Sequence, residues 1–330
     1  MAESMNDDYQ LRPWREGDDL QLMQLWPDAE NVHASVFRAK LGEEPPSHWQ
    51  RTFVVDHHGV PVAAGTAYET SLHSSRLWAY VEVAPDHRRR GLGGMILAAL
   101  REAAAETPSG VSALRSKVVP GSSGAGFAQW AGLTSIQRTR MVRIEAGALP
   151  PRPLHEDAAG RTTQAVEDLA TGSLELTRVL WDFYRRVHDW DPPAEQTLGQ
   201  VNRLFLSDEA EAYGAVVLRE DVVRAEQEER RAPIAAFAVS YRPLDADAPD
   251  REVSDDEATE VLLGYDVDAQ GASDALQQII ALLVHQYPIV IEVDDSMEAL
   301  ARIAEALVHR GTAAVEEETL VVAEEGHAAA

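Results

Sequence analysis

Residues 81–94 read VEVAPDHRRRGLGG. A short apolar run, Val81 to Val83, meets Pro85, which cannot donate to a strand ladder. Three arginines, Arg88 to Arg90, and glycines at 91, 93 and 94 follow. The next stretch, MILAALREAAAE (95–106), carries apolar residues at helical spacing. The segment therefore joins a strand to a helix. At such a junction the backbone N–H groups of residues 88–94 are left for a ligand, and glycine lets it come close. The pattern predicts a phosphate cradle; the plainer alternative is a solvated basic turn capping a helix. A dinucleotide fingerprint is disfavoured, because Ile96 stands where its third glycine belongs and the preceding strands read as antiparallel.

Working outward, YQLRPW (9–14) predicts a strand. DDLQLMQLW (18–26) predicts a helix with Leu20, Met23, Leu25 and Trp26 on one face, capped by Asp18 or Asp19. RTFVVD and GVPVAAGTAYE, joined by HHG, form a hairpin pattern, and LWAYVEV adds a third antiparallel strand. SALRSKVV returns to strand after the helix. The second half repeats the order: AYGAVVL, PIAAFAVSY and ATEVLLGYDV as strands, DALQQIIALLVHQY as helix, PIVIEV as strand, MEALARIAEALVHRG as helix. QWAGLTSIQRTRMVRIE and ALVHRGTAAVEEETLVVAE match as helix end, glycine and final strand. The expectation is one fold twice, in the α/β (α+β) class, each copy a mixed, mostly antiparallel sheet flanked by helices.

The chain has 330 residues, enough for two domains. GALPPRPLHEDAAG (147–160) is the expected linker, between a domain at 9–146 and another at 161–325, with residues 1–8 as a flexible N-terminus. Charge changes there too. Residues 1–150 hold 15 Lys+Arg against 17 Asp+Glu, a balance of −2; residues 151–330 hold 14 against 38, a balance of −24. That acidity argues against nucleic acid, whose phosphates are bound by Lys and Arg, and favours cationic partners. Cysteine is absent, so there is no disulfide framework or thiolate chemistry, which fits a cytoplasmic protein. MAESMNDDYQ lacks a secretory pattern, and the apolar run IIALLVHQYPIVI is cut by His285, Gln286 and Pro288. No export signal or membrane span is expected.

Val83-x-Pro85 followed by Arg88-Arg89-Arg90-Gly91-Leu92-Gly93 resembles the acyl-CoA signature of the GNAT superfamily of N-acetyltransferases, Arg/Gln-x-x-Gly-x-Gly/Ala. The resemblance runs in element order from Tyr9 to Ile144. It implies acetyl-CoA, or another acyl-CoA, as cosubstrate. Val81, Glu82 and Val83 would pair through backbone with pantetheine, and Arg88, Arg89, Arg90, Gly91, Leu92, Gly93 and Gly94 would cradle the pyrophosphate. A backbone N–H of Val81–Val83 would polarise the thioester. Where the family often has a glutamate base, this chain has Leu77, Trp78, Ala79 and Tyr80, so Tyr80 and Glu82 become the catalytic candidates. The family's tyrosine acid is replaced in FAQWAGL, with Phe127 and then Ala128 at the matching positions, and Gly121 and Gly124 stand near its usual asparagine. In the second half, DAQGASDA (268–275) has neither arginine nor a second glycine at the spacing, which implies a lost cofactor site. Fused domains with one degenerate are similar in layout to mycothiol synthase, where the working copy is the C-terminal one.

The implied function is acyl-CoA-dependent N-acyl transfer to a primary amine, a small molecule whose positive charge would suit the acidic half. The rival is a non-catalytic acyl-CoA-binding or protein-interaction module. His57-His58 beside Asp56 raises a metal site, but adjacent histidines at a hairpin tip are expected to point apart, so no metal is expected. Trp181, Tyr184 and His188 share a helical face and read as core, with an aromatic wall for a cation as the alternative. The acidic tract DADAPDREVSDDEATE (245–260) reads as a solvated loop. Nothing in the sequence sets the oligomeric state.

Overall fold

The computed structural model describes residues 8–23, 26, 32–242 and 257–325; residues 245–256 of the acidic tract lie outside it. The chain forms two compact units, Met1–Ile136 with Leu320–Ala330, and Gln137–Thr319.

In chain order the first unit holds β1 (Tyr9–Pro13), α1 (Asp18–Met23), α2 (Val32–Arg38), β2 (Gln50–His57), β3 (Val60–Tyr68), β4 (Leu77–Val83), α3 (Leu92–Ala104), β5 (Leu114–Val118) and α4 (Ser123–Trp130). β1 to β4 form an antiparallel meander. Alternation decides which face each β4 side chain takes. Leu77 and Ala79 are buried with Ile96, Leu97 and Leu100 of α3, and Val81 and Val83 pack against the same core; Trp78 and Tyr80 point to the other face, where Phe37 of α2 meets both rings. On that face, too, Leu22 and Trp26 pack with Val54, Ala64 and Ala84. Here the sequence-based face for α1 is corrected. Leu20 and Met23 are 64% and 70% exposed, and Leu22 takes the core, four residues after the buried Asp18; Leu25 lies outside the described residues.

The second unit opens with β6 (Thr134–Ile144), then β7 (Ala165–Leu169), α5 (Leu174–Val187), α6 (Leu198–Phe205), β8 (Ala212–Arg219), α7 (Val222–Gln227), β9 (Ile234–Tyr241), β10 (Thr259–Tyr265), α8 (Ala272–Leu283), β11 (Ile289–Asp294), α9 (Glu298–His309) and β12 (Ala313–Ala323). β7 to β10 repeat the antiparallel meander and β10 pairs β11 in parallel.

The units do not divide at residues 147–160, as sequence order suggests. β6 pairs with β11 from Thr139 to Ile144, whereas the tail of β12, Leu320 to Ala323, pairs with β5. Most of β6, from Gln137 on, thus belongs to the second unit, and the tail of β12, from Leu320 on, to the first. The proposed linker is itself structured: Leu149 is buried and Glu156 bridges Thr162.

A buried arginine ties the first two strands to the first long-range helix start in each unit. Arg12 of β1 bonds Asp18 at α1 and Asp56 of β2, at 2.7–2.9 Å. Arg219 of β8 bonds Glu167 of β7 and Glu175 in the first turn of α5, at 2.7–2.8 Å. The same three-element knot appears with its charges exchanged between strands, as expected of one fold used twice.

Candidate functional site

β4 and β5 run parallel but pair only at Leu77↔Leu114 and Trp78↔Arg115. Beyond that point β5 is held by β12, and the β5-facing edge of β4 from Ala79 to Val83 has no strand partner among the described residues. A gap of this kind offers backbone donors and acceptors to an extended ligand.

The loop after β4 starts with a single 3-10 turn, Pro85–His87. Arg88 is extended, Arg89 takes a left-handed φ of 63°, and Gly91 caps α3 with φ 83°. Gly91 is required by that conformation alone, since a Cβ there would meet nothing. The N–H groups of residues 89–94 donate to no protein acceptor among the described residues, while those on either side, Arg88 and Met95, are bonded to Pro85 and Gly91. Arg88, Arg89 and Arg90 are exposed. Arg88 Nε is fixed on the Val83 carbonyl at 3.0 Å and Arg90 reaches the Asp86 carbonyl at 3.4 Å, but none of the three pairs with a carboxylate among the described residues. Six open amides at the start of a helix beside three uncompensated cations form a site for a doubly charged anion.

Gly93 and Gly94 have a different reason from the one the sequence suggests. A Cβ at Gly93 would lie 3.2 Å from the Phe127 ring, and one at Gly94 would lie 3.0 Å from Trp130. These two rings stack on each other on α4, with centroids 5.7 Å apart. The glycines let α4 close over the first turn of α3. Leu92, buried in the core, anchors the loop from beneath.

Tyr80 and Glu82 are together on the α2 face of β4, the Tyr80 hydroxyl donating to Glu82 at 2.6 Å. Neither is a free base. Arg38 clamps the Glu82 carboxylate through Nε and Nη2 at 2.8 and 2.6 Å. Burial, followed by the charge of Glu82, pushes the Tyr80 hydroxyl far above the normal tyrosine range. Its ring stacks on Phe37 at 5.3 Å, and the β3–β4 register runs without a shift from Ala63↔Val83 to Tyr68↔Trp78. No bulge re-aims either side chain. Arg38 also lies 5.1 Å above the Trp26 ring. The sequence did not reveal Arg38, which sits 44 residues from its partner; the only signal is a lone cation closing a short helix ahead of a strand with one carboxylate.

Where the family pattern has its tyrosine acid, Ala128 is buried. At the other end of β4, Arg115 is buried, with its guanidinium 4.3 Å from the Trp78 ring, and donates to the Thr70 hydroxyl and the His73 carbonyl. Nearby, burial pushes Tyr68 up to about 12, with Arg115 opposing.

The matching loop of the second unit bonds part of its amides internally and carries aspartates where the first has arginines. Asp266, Asp268, Ala269 and Ala272 N–H groups bond to Ala235, Asp266 and Ala269 acceptors. Asp268 pairs with Arg186, and Asp274 with Arg152 at 3.4 Å. Trp181, Tyr184 and His188 stack in sequence along α5, with Trp181 and His188 buried, as the core assignment required. Among the described residues, no helix is long and apolar enough to cross a membrane.

The fold is of the α/β class, with an anion-binding loop between β4 and α3. Residues 10–125 match the acetyltransferase (GNAT) family model. The chain is similar over 97% of its length to a GCN5-related N-acetyltransferase from Sphaerobacter thermophilus, covering 96% of that chain at 14% identity with a TM-score of 0.58. It is likewise similar to a tandem GNAT protein from the clavulanic acid biosynthesis pathway, solved without acetyl-CoA: 98% and 100% coverage, 12% identity, TM-score 0.56. No curated protein matches by sequence. The family match is confined to residues 10–125, and the two solved structures, at 12–14% identity, show a likeness of fold along nearly the whole chain.

Proposed function

We propose that this protein transfers an acyl group from an acyl-CoA, acetyl-CoA in the first instance, to a primary amine. The observation that carries the reading is the set of six unspent N–H groups, residues 89–94, beside Arg88, Arg89 and Arg90 and next to the open edge of β4. In this reading Arg88 to Gly94 hold the pyrophosphate and the Val81–Glu82–Val83 backbone holds pantetheine. When bound, acetyl-CoA supplies an activated thioester. The amine nitrogen would attack its carbonyl carbon, an N–C bond forming as the C–S bond breaks; coenzyme A leaves as the thiolate and takes up the proton that the amine nitrogen loses, giving amide and free thiol. Backbone donors of β4 at the carbonyl oxygen provide the electrostatic stabilisation such a step needs.

Glu82, clamped by Arg38, and Tyr80, strongly raised, are positioning groups: they fix β4 against α2. The acceptor therefore reacts as the neutral amine, and position supplies much of the rate. The charge of −24 on residues 151–330 supports a cationic acceptor. Ala128 in place of an acid favours one second reading, a module that binds acyl-CoA without turnover.

Calorimetry with acetyl-CoA, followed by mass spectrometry of an amine panel, tests both. Saturable binding with N-acyl product supports the enzyme. Binding without product from any amine supports the module, and absence of binding defeats both.

A further inference from the structure

A second cluster lies in the first unit, at the β2–β3 hairpin, and it is independent of the acyl-CoA reading. β1 and β2 are in register with Tyr9 opposite His57, which brings Asp8 to the level of His58. Successive residues of a strand point to opposite faces, and on that rule His57 and His58 would diverge. His58, however, is a turn residue with a left-handed φ of 52°, followed by Gly59 at φ 80°. The alternation is broken at that point, and the two imidazoles come to 4.2 Å between ring centroids. The expectation that these histidines point apart is thereby corrected. Ligand atoms of Asp8, His57 and His58 all lie within 4.8 Å of one another; among the described residues this is the one place where three such groups converge.

The surroundings hold the central ligand in place. Tyr9 stacks on His57 at 4.7 Å, and the His87 ring meets His57 at 5.0 Å. His87 is itself held, its Nδ1 3.1 Å from the Tyr9 hydroxyl. His57 is half-buried, while Asp8 and His58 are exposed and can rotate. Bonds of about 2.0–2.2 Å to a metal bring donor atoms to roughly 3–4 Å apart, so the observed spread closes with side-chain rotation alone. Two imidazoles and one carboxylate are a donor set for zinc, nickel or copper(II), not for magnesium or calcium, which prefer oxygen alone.

We propose that Asp8, His57 and His58 form a surface site for a divalent transition metal, open to solvent at its remaining positions. Such an ion would pin the start of β1 to the β2–β3 turn. Calorimetry of the full chain with ZnCl₂ and electron paramagnetic resonance with Cu²⁺ test it. One ion per chain and nitrogen hyperfine structure from two imidazoles are expected. His58→Asn, which tolerates the left-handed turn, and Asp8→Asn should each weaken zinc affinity by about tenfold or more, and the copper spectrum of His58→Asn should lose one nitrogen. Variant folding is checked by thermal unfolding without metal, which His58→Asn should leave unchanged. No zinc binding to the wild type, or variants that bind like it, would overturn the proposal.

Discussion

Glu82→Gln separates a structural from a catalytic role. Glu82 accepts two charge-assisted bonds from Arg38 and one from Tyr80, and the two charged side chains are 13% and 20% exposed. Charged hydrogen bonds contribute about 1.5–3 kcal/mol, and removing one member of a fully buried pair costs about 3–5 kcal/mol. Glutamine keeps one acceptor and Arg38 still reaches water, so the loss should fall near the lower figure, about 2 kcal/mol, or about 4–8 °C in melting temperature for a domain of this size. Arg38→Met should cost a similar amount, and the double variant should cost less than the sum, because the two side chains share one interaction. Melting by circular dichroism and turnover with any accepted amine are measured on the same samples. A general base would behave differently, its removal lowering the rate by about 10²–10⁴ with stability intact. An unchanged melting temperature with turnover reduced a hundredfold would refute the assignment of Glu82 as a positioning residue.

Arg88→Glu should abolish acetyl-CoA binding in calorimetry without shifting the melting temperature, since Arg88 is exposed and pairs with no carboxylate among the described residues; retained affinity would count against the cradle. The wild type should bind one acetyl-CoA per chain, because the second-unit loop carries Asp268 and Asp274 and no arginine, which repels a pyrophosphate. Gly93→Val should lose about 1–3 kcal/mol of stability through the clash with Phe127, and adding Phe127→Leu should recover part of it in the same melting assay. Arg219 holds the Glu175 carboxylate below its usual range. A depressed carboxylate pKa stabilises the fold fully above the ordinary value of 4.5, and that contribution is lost as pH falls from there through the lowered folded-state value. Urea titrations between pH 5 and 3 should therefore show falling stability, with a shallower fall in Glu175→Gln; parallel curves would reject the linkage.

Much of this architecture is legible in the sequence because its signals are local. The strand, proline, arginines and glycines of residues 81–94 are contiguous, and helical periodicity marks α3, α8 and α9 without reference to the rest of the chain. The missed features depend on distant partners. β6 and β12 look alike in sequence, and no pattern within either one says that β11 or β5 will receive it. Arg38 meets Glu82 across 44 residues, and the Phe127 and Trp130 rings that demand Gly93 and Gly94 arrive from a separate helix. The α1 face went wrong for a related reason: a two-turn helix is too short for periodicity to choose between Leu20 and Leu22. At His57-His58, one left-handed residue cancels the alternation rule that sequence reading relies on.

The pairing of β5 with the tail of β12 sets an order of events during synthesis. β5 emerges by residue 118, but its neighbour Leu320–Ala323 is made roughly 200 residues later, an interval of about 10–40 s at ribosomal rates of about 5–20 residues per second. Until then the edge of β5 is an unpaired template of the kind that captures other strands. Val322→Pro, which removes a donor opposite Ser116, should weaken this pairing and lengthen the exposed interval. The first-encoded unit is therefore the last to finish, and aggregation of this protein should be governed by how long the β5 edge waits.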